Sequence, residues 1–243
     1  MKVIAHRGAS GEYPENTLLA FSEAIKQLAD GIELDIQYHY SNNFVLLHDN
    51  DLQKTTNGKG SVNDYSLVDL QQLDAGLGEF IPTLHQALEL INGDCFVNIE
   101  VKTAVIDKAS LLKIITLLQR DIAHAINFHD FSWHQFIVSS FNHQLLAELK
   151  ILFPKLATAT LVALCPLNYA QCAQQLKAIS LNPSIEIVNQ QLVDDAHQRG
   201  LNVWVYTVDI KEDIKKCLSY GVDGVFTNYP KQTKHYIEQL QTR

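Results

Sequence analysis

Gly31-Ile32-Glu33-Leu34-Asp35-Ile36 is the stretch that decides how this chain is read. Successive side chains of a strand point to opposite faces, so Ile32, Leu34 and Ile36 share one face and Glu33 and Asp35 the other. The apolar face suits a surrounding layer of helices. The acidic face then points into the interior, near the end of the strand. Val97-Asn98-Ile99-Glu100-Val101-Lys102 repeats the alternation and sends Asn98, Glu100 and Lys102 inward. Charge at the C-terminal ends of inward-facing strands is a property of α/β barrels, whose sites lie on that face.

Outward from these two segments, short β-branched runs alternate with amphipathic stretches of helical length. The predicted strands are 2–5, 31–36, 96–101, 136–140, 157–162, 179–182, 202–207 and 222–226. The predicted helices are 17–28, 83–91, 108–126, 143–152, 168–177, 190–199, 211–219 and 231–240. Eight strands, each trailed by a helix, predict an eight-fold (β/α) TIM barrel formed as a single domain over residues 1–243.

One segment interrupts the alternation. After the strand at 31–36 and Gln37, only Tyr38 to Asn43 precede a second β run, Phe44-Val45-Leu46-Leu47-His48. Six residues are too few for a parallel crossover, so the second run is expected to fold back as a hairpin. Residues 38–82, with the turn-rich Thr55-Thr56-Asn57-Gly58-Lys59-Gly60, read as a small insertion after the second barrel strand, on the catalytic face. A hairpin turn centred between residues 40 and 41 would set His48 opposite Glu33.

Composition narrows the function classes. The chain is 47% hydrophobic with 11 Gly and 6 Pro, which excludes disorder. A net charge of −8 and the lack of a basic patch argue against nucleic-acid partners. An anionic ligand must therefore be captured by a few local cations or by a metal. The N-terminus has too short an apolar run for a secretory segment, and no run is long and apolar enough for membrane insertion. Cys95, Cys165, Cys172 and Cys217 form no C-x-x-C pair and read as free thiols. A cytoplasmic protein is expected.

Glu33, Asp35 and Glu100 would converge inside the barrel. Three carboxylates without cysteine form a hard-oxygen ligand set, suited to one divalent cation, Mg2+ or Ca2+, with Mn2+ a further candidate. The competing reading is a buried salt-bridge network in which Arg7 and Lys102 neutralise the acids, because an unpaired charge inside a barrel costs several kcal/mol. His48 on the returning strand and His6 at the end of the first would flank this cluster. Two near-neutral imidazoles beside a metal form an acid–base pair of the kind phosphodiester cleavage requires.

These pieces resemble the glycerophosphodiester phosphodiesterase family, in its bacterial cytoplasmic type. The resemblance is carried by His6-Arg7-Gly8, Pro14-Glu15-Asn16-Thr17, Glu33-Leu34-Asp35 and His48-Asp49. It continues through Thr55-Thr56-Asn57-Gly58, Pro82-Thr83-Leu84, Asn98-Ile99-Glu100-Val101-Lys102, Ser139-Ser140-Phe141 and Gly221-Val222-Asp223-Gly224-Val225-Phe226-Thr227-Asn228-Tyr229-Pro230. It implies a divalent metal and hydrolysis of a small-molecule glycerophosphodiester to glycerol 3-phosphate and an alcohol, through a cyclic phosphate. It further implies Glu33, Asp35 and Glu100 as metal ligands, His6 and His48 as acid and base, and Arg7 and Lys102 at the phosphate. Glu15 is expected to orient Arg7 or to add a ligand through water. Asn16 or Thr17 reads as a helix cap.

Lys54 stands where many relatives carry Arg. Tyr206-Thr207-Val208-Asp209 stands where they read Trp-Thr-Val-Asn, which alters the wall that sorts the alcohol group. The other classes weighed are a non-catalytic barrel binding metal or phosphate, and a phospholipase-like enzyme acting on intact lipids. His124, His129, His134 and His143 read as surface or hydrogen-bonded histidines.

Overall fold

The computed structural model describes residues 1–105 and 107–241. Strand β1 (Lys2–His6) leads through helix α1 (Leu18–Lys26) to β2 (Gly31–His39), on which β3 (Asn43–Leu46) folds back antiparallel. An irregular segment containing the one-turn helix α2 (Leu67–Leu70) leads to α3 (Leu84–Ile91). The alternation then runs β4 (Phe96–Lys102), α4 (Lys108–Phe128), β5 (Phe136–Ser140), α5 (His143–Leu152), β6 (Ala157–Val162), α6 (Gln171–Gln175) and β7 (Ser180–Pro183). It ends with α7 (Gln190–Gln198), β8 (Asn202–Val205), α8 (Lys211–Tyr220), β9 (Gly224–Thr227) and α9 (Pro230–Gln241). All strands but β3 pair in parallel, and β1 pairs with both β2 and β9, which closes the sheet. This is the expected TIM barrel.

Side-chain alternation explains the layers. Ile32, Leu34 and Ile36 of β2 and Val97, Ile99 and Val101 of β4 pack outward against Leu84, Leu88 and Ile91 of α3 and Leu111, Ile114, Ile115 and Leu118 of α4. Burying each such side chain contributes about 1.5–3 kcal/mol. Inside the barrel, Ile4, Ile137, Ala159, Trp204 and Phe226 form an apolar plug, with Phe96 packed against it. The polar inward residues lie nearer the strand ends. Thr17 caps α1 by accepting the Ala20 N–H at 3.2 Å, and Asp107 caps α4 by accepting from Ser110 at 2.9 Å.

The β2–β3 hairpin departs from the expected register by one residue. Its pairs are Ile36 with Leu46, Gln37 with Val45, Tyr38 with Phe44 and His39 with Asn43. The turn is centred on Ser41 because its loop, Tyr40-Ser41-Asn42, has three residues, with Asn42 left-handed at φ 61°. Continuing this ladder would oppose position 48 to Leu34 rather than Glu33. Regular pairing stops at Leu46, however, and His48 reaches the barrel mouth on the following bend. Beyond the hairpin, Val45, Leu47, Leu52, Val62, Leu70, Ala75 and Ile81 form an apolar cluster of their own. Among the described residues, no helix is long and apolar enough to cross a membrane.

Candidate active site

A cavity of about 240 Å³ opens at the C-terminal ends of the strands. His6, Arg7, Glu33, His48, Asn98, Glu100 and Lys102 line one side, and Phe141, Leu161, Tyr206 and Phe226 the other. The hairpin and five barrel strands, with the segments just beyond β5 and β8, thus bring residues scattered over the chain to one chamber. Asp35, level with Glu100 in the β2–β4 register, does not line the cavity and is fully buried.

The carboxylates of Glu33, Asp35 and Glu100 offer oxygens within 4.8 Å of one another, and all three residues are buried. Cations reach only part of the set. Arg7 Nε lies 3.0 Å from Asp35, and Lys102 Nζ lies 3.2 Å from Asp35 and 2.5 Å from Glu100. Among the described residues, Glu33 has no side-chain ion pair. Its Oε2 accepts the Arg7 backbone N–H at 2.9 Å, while its Oε1 is buried with no hydrogen-bond partner. Asn98 Oδ1 is likewise buried and unpartnered, although its amide nitrogen donates to Ser139 Oγ at 2.8 Å.

Proton affinities follow from these contacts. Burial, with the Asp35 and Glu100 charges added, pushes the Glu33 carboxyl well above the usual carboxylate range. Burial and Asp35 push Glu100 up to about 7, against the pull of Lys102. Burial would raise Asp35 as well, but Lys102, Arg7 and His6 together hold it below its ordinary value. The direct ion pairs therefore go to Asp35 and Glu100, and the pull of Arg7 leaves Glu33 short of the counter-charge that burial and two acidic neighbours demand. A divalent cation seated among the three carboxylates would supply it, and the orphaned Oε1 fits that role.

Arg7 is fixed from two sides. Its Nη1 donates to both oxygens of Glu15, at 3.0 and 3.1 Å. Glu15 is thus the exposed-side partner of the Arg7 guanidinium, opposite the Asp35 contact. Thr17 is the helix cap, while Asn16, left-handed at φ 57°, clamps Asp35 by donating to Oδ2 at 3.0 Å and accepting its backbone N–H at 3.1 Å.

The two histidines are each held at Nδ1. His6 Nδ1 lies 2.8 Å from Asn228 Oδ1, and Asn228 Nδ2 donates to Asp209 at 2.7 Å. Ser10 Oγ donates to the same Asn228 oxygen at 2.8 Å. An amide oxygen accepts only, so His6 carries its proton on Nδ1 and turns a lone pair on Nε2 outward. Burial, then the adjacent Arg7 charge, lowers His6 from its ordinary value to about 4, so it is neutral at pH 7. His48 Nδ1 lies 3.2 Å from Asp49 Oδ2, and Lys54 pairs with the same oxygen at 3.0 Å. Sequence reading did not find Asn228, Asp209 or Ser10 as supports of His6. Only the closure of β9 onto β1 brings them together.

Tyr206 takes part in the apolar wall, and its hydroxyl donates to Val162 O at 3.0 Å. Trp204 is instead buried in the plug, tilted against Phe96.

The family model for the glycerophosphoryl diester phosphodiesterase family matches residues 6–232. A glycerophosphodiester phosphodiesterase of Caldanaerobacter subterraneus subsp. tengcongensis is 36% identical, with 94% of each chain covered. One of Bacillus altitudinis is 32% identical, with 99% of each covered. Among solved structures, a phosphodiesterase of Oleispira antarctica, in complex with the product sn-glycerol-3-phosphate, superposes with a TM-score of 0.86 at 29% identity, over 98% of this chain and 97% of that one. A chain from Silicibacter pomeroyi shares the fold with a TM-score of 0.91 at 24% identity, over 99% and 94%.

Proposed function

The chain belongs to the glycerophosphoryl diester phosphodiesterase family, and from that membership we propose how its cavity carries out the reaction. It is an enzyme that hydrolyses glycerophosphodiesters, and the products are glycerol 3-phosphate and an alcohol. The observation that carries the detailed reading is the unpartnered, buried Glu33 oxygen beside Asp35 and Glu100, in a cavity flanked by His6 and His48.

Glu33, Asp35 and Glu100 would hold one divalent cation, Mg2+ or Ca2+, with Mn2+ also matched by the oxygen set. When bound, such an ion supplies Lewis-acid neutralisation of charge developing at phosphorus and at the attacking oxygen. Arg7 and Lys102 hold the phosphate, Arg7 as a planar fork already set by Glu15 and Lys102 as a point charge. His6, neutral and pinned by Asn228, takes the proton of the substrate's glycerol 2-hydroxyl through Nε2. That oxygen forms the new bond to phosphorus. The bond to the alcohol oxygen breaks as His48, oriented by Asp49, donates a proton to it. The resulting cyclic glycerol phosphate is opened by water with the two histidines exchanging roles. Internal attack is favoured by its large effective molarity, and among the first-strand and hairpin residues no serine or cysteine is poised to attack instead: Ser10 is turned toward Asn228 and the His6 carbonyl.

Residues 38–82 form an insertion subdomain within one catalytic domain, delivering His48 to the site. The four cysteines are unpaired, which supports a reducing, cytoplasmic setting. One observation favours a wider substrate range: Phe141, Leu164 and Leu167 are exposed on the segments that leave β5 and β6 at the cavity end of the barrel. An acyl chain on the glycerol would find apolar surface there.

The test is release of glycerol 3-phosphate by chelator-stripped enzyme refilled with Mg2+, Ca2+ or Mn2+. Glycerophosphocholine, glycerophosphoethanolamine, glycerophosphoglycerol and a lysophospholipid are compared as substrates. Metal-restored turnover of a glycerophosphodiester is expected. Full activity after exhaustive chelation would return the carboxylates to a salt-bridge role, and no turnover with any metal would defeat the catalytic reading.

A further inference from the structure

On the outer flank of the barrel, where α3 packs on α4, three histidines meet. His85 sits in the first turn of α3, His124 in the last turns of α4, and His129 immediately after α4. Their ring centroids are 4.4 Å apart for His85 and His124, 5.7 Å for His124 and His129, and 6.0 Å for His85 and His129. One ring nitrogen from each lies within 4.8 Å of the other two. His85 is exposed and the others half-buried.

Packing alone accounts poorly for the cluster. His124 Nδ1 and His129 Nε2 are both closed off from solvent and have no hydrogen-bond partner. Buried polar nitrogens without partners cost about 1–3 kcal/mol each. Side chains brought together only by apolar contact have no reason to turn such atoms inward. Asp121, one turn before His124, is buried, paired with Arg120 at 2.8 Å, and close enough to feel His85 and His124 as well. The spacing of His124 and His129 matches the H-x3–5-H intervals of zinc ligands.

We propose that His85, His124 and His129 form a second metal site, separate from the carboxylate trio, that takes a borderline cation of the Zn2+ class. Neutral imidazoles prefer Zn2+, Co2+ or Ni2+ over Mg2+ and Ca2+, whereas the three carboxylates have the opposite preference. Tetrahedral zinc with bonds of about 2.0–2.1 Å spaces its donors roughly 3.4 Å apart. Side-chain rotation, chiefly of exposed His85, suffices to close the set. The fourth position then faces the opening beside His85 and is filled by water. The bound ion pins the start of α3 to the end of α4. The same flank carries the hairpin tip, where Arg120 Nη2 donates to Asn42 O at 3.1 Å, and the bridge from Val45 to Thr83 just before α3.

The experiment uses untagged, chelator-stripped protein held in excess Mg2+ to fill the carboxylate site, titrated with Zn2+ by calorimetry and with Co2+ by visible absorption. One tight equivalent of Zn2+ and the intense band of tetrahedral Co2+ are expected for the wild type. His85→Ala and His124→Ala should each weaken that equivalent at least 100-fold and abolish the band. Glu33→Gln should retain both. Because His85 is exposed, His85→Ala tests the site without risk to folding, and its Mg2+-supported activity should match the wild type. A wild-type protein that takes up no Zn2+ in excess Mg2+ overturns the proposal, as does unchanged uptake in His85→Ala and His124→Ala.

Discussion

Replacing Glu33 by Gln isolates the electrostatics of the carboxylate cluster. Two like charges no more than 4.8 Å apart repel by at least roughly 3 kcal/mol at an effective dielectric constant near 20. Burial and the charges of Asp35 and Glu100 disfavour the Glu33 carboxylate and Arg7 offsets part of this, so the net penalty of its charge is taken as about one such pair. The amide keeps the acceptor for the Arg7 N–H and puts a donor where Oε1 has no partner. In chelator at pH 8, Glu33→Gln should therefore be more stable than the wild type by about 3 kcal/mol, or roughly 6–12 °C in Tm for a domain of this size. Saturating divalent cation should reverse the order. The wild type gains about 4.1 kcal/mol at a concentration 1,000 times Kd, which exceeds that gap, and the variant gains little.

The sign of the pH dependence is set by the raised Glu33 pKa. A carboxyl that holds its proton more tightly when folded destabilises the fold as pH rises through its folded pKa, and has no effect below its unfolded value near 4.3. The advantage of Glu33→Gln in chelator should accordingly fade as pH falls toward 4. Thermal unfolding with and without Mg2+ or Mn2+ across this range is the assay. A variant less stable than the wild type in chelator, or an equal metal-induced shift in both proteins, would refute the reasoning.

His6→Ala and His48→Ala should each lower kcat by about 100-fold or more, and the double variant by much less than the product, since the two act as a unit; wild-type turnover in either would remove that residue from the mechanism. A substrate analogue lacking only the glycerol 2-hydroxyl should bind with modest loss yet turn over at least ~1,000-fold more slowly, and near-normal hydrolysis would instead assign attack to water. Asn228→Ala strips the partner from His6 Nδ1, so kcat should fall roughly 10–100-fold with KM nearly unchanged; a loss confined to KM would make Asn228 a substrate contact rather than a positioning residue. Gly8, at φ +80°, has Ala20 backbone 2.6 Å from where a Cβ would stand, so Gly8→Ala should cost about 2 kcal/mol or more in urea unfolding; unchanged stability would show that α1 can move away.

Much of this protein is local in origin and legible without a structure. Period-two alternation in 31–36 and 96–102 is a property of the strand itself, so the inward aim of Glu33, Asp35 and Glu100 follows from the order of residues alone. The eight-fold repeat of strand and helix similarly allows few arrangements other than a barrel. The hairpin was legible in kind but not in register, because one left-handed residue, Asn42, makes the loop odd and moves every pair by one. Contacts between segments far apart in the chain were not legible at all. Asn228 and Asp209 reach His6 only because β9 closes onto β1, Asn16 reaches Asp35 across a helix entry, and His85 meets His124 and His129 only because α3 packs on α4. Periodicity records which way a side chain faces within its own element. Which partner waits on that side is decided by how the elements close on one another, and there the tertiary structure alone determines the supports, the counter-charges and the unpaired atoms.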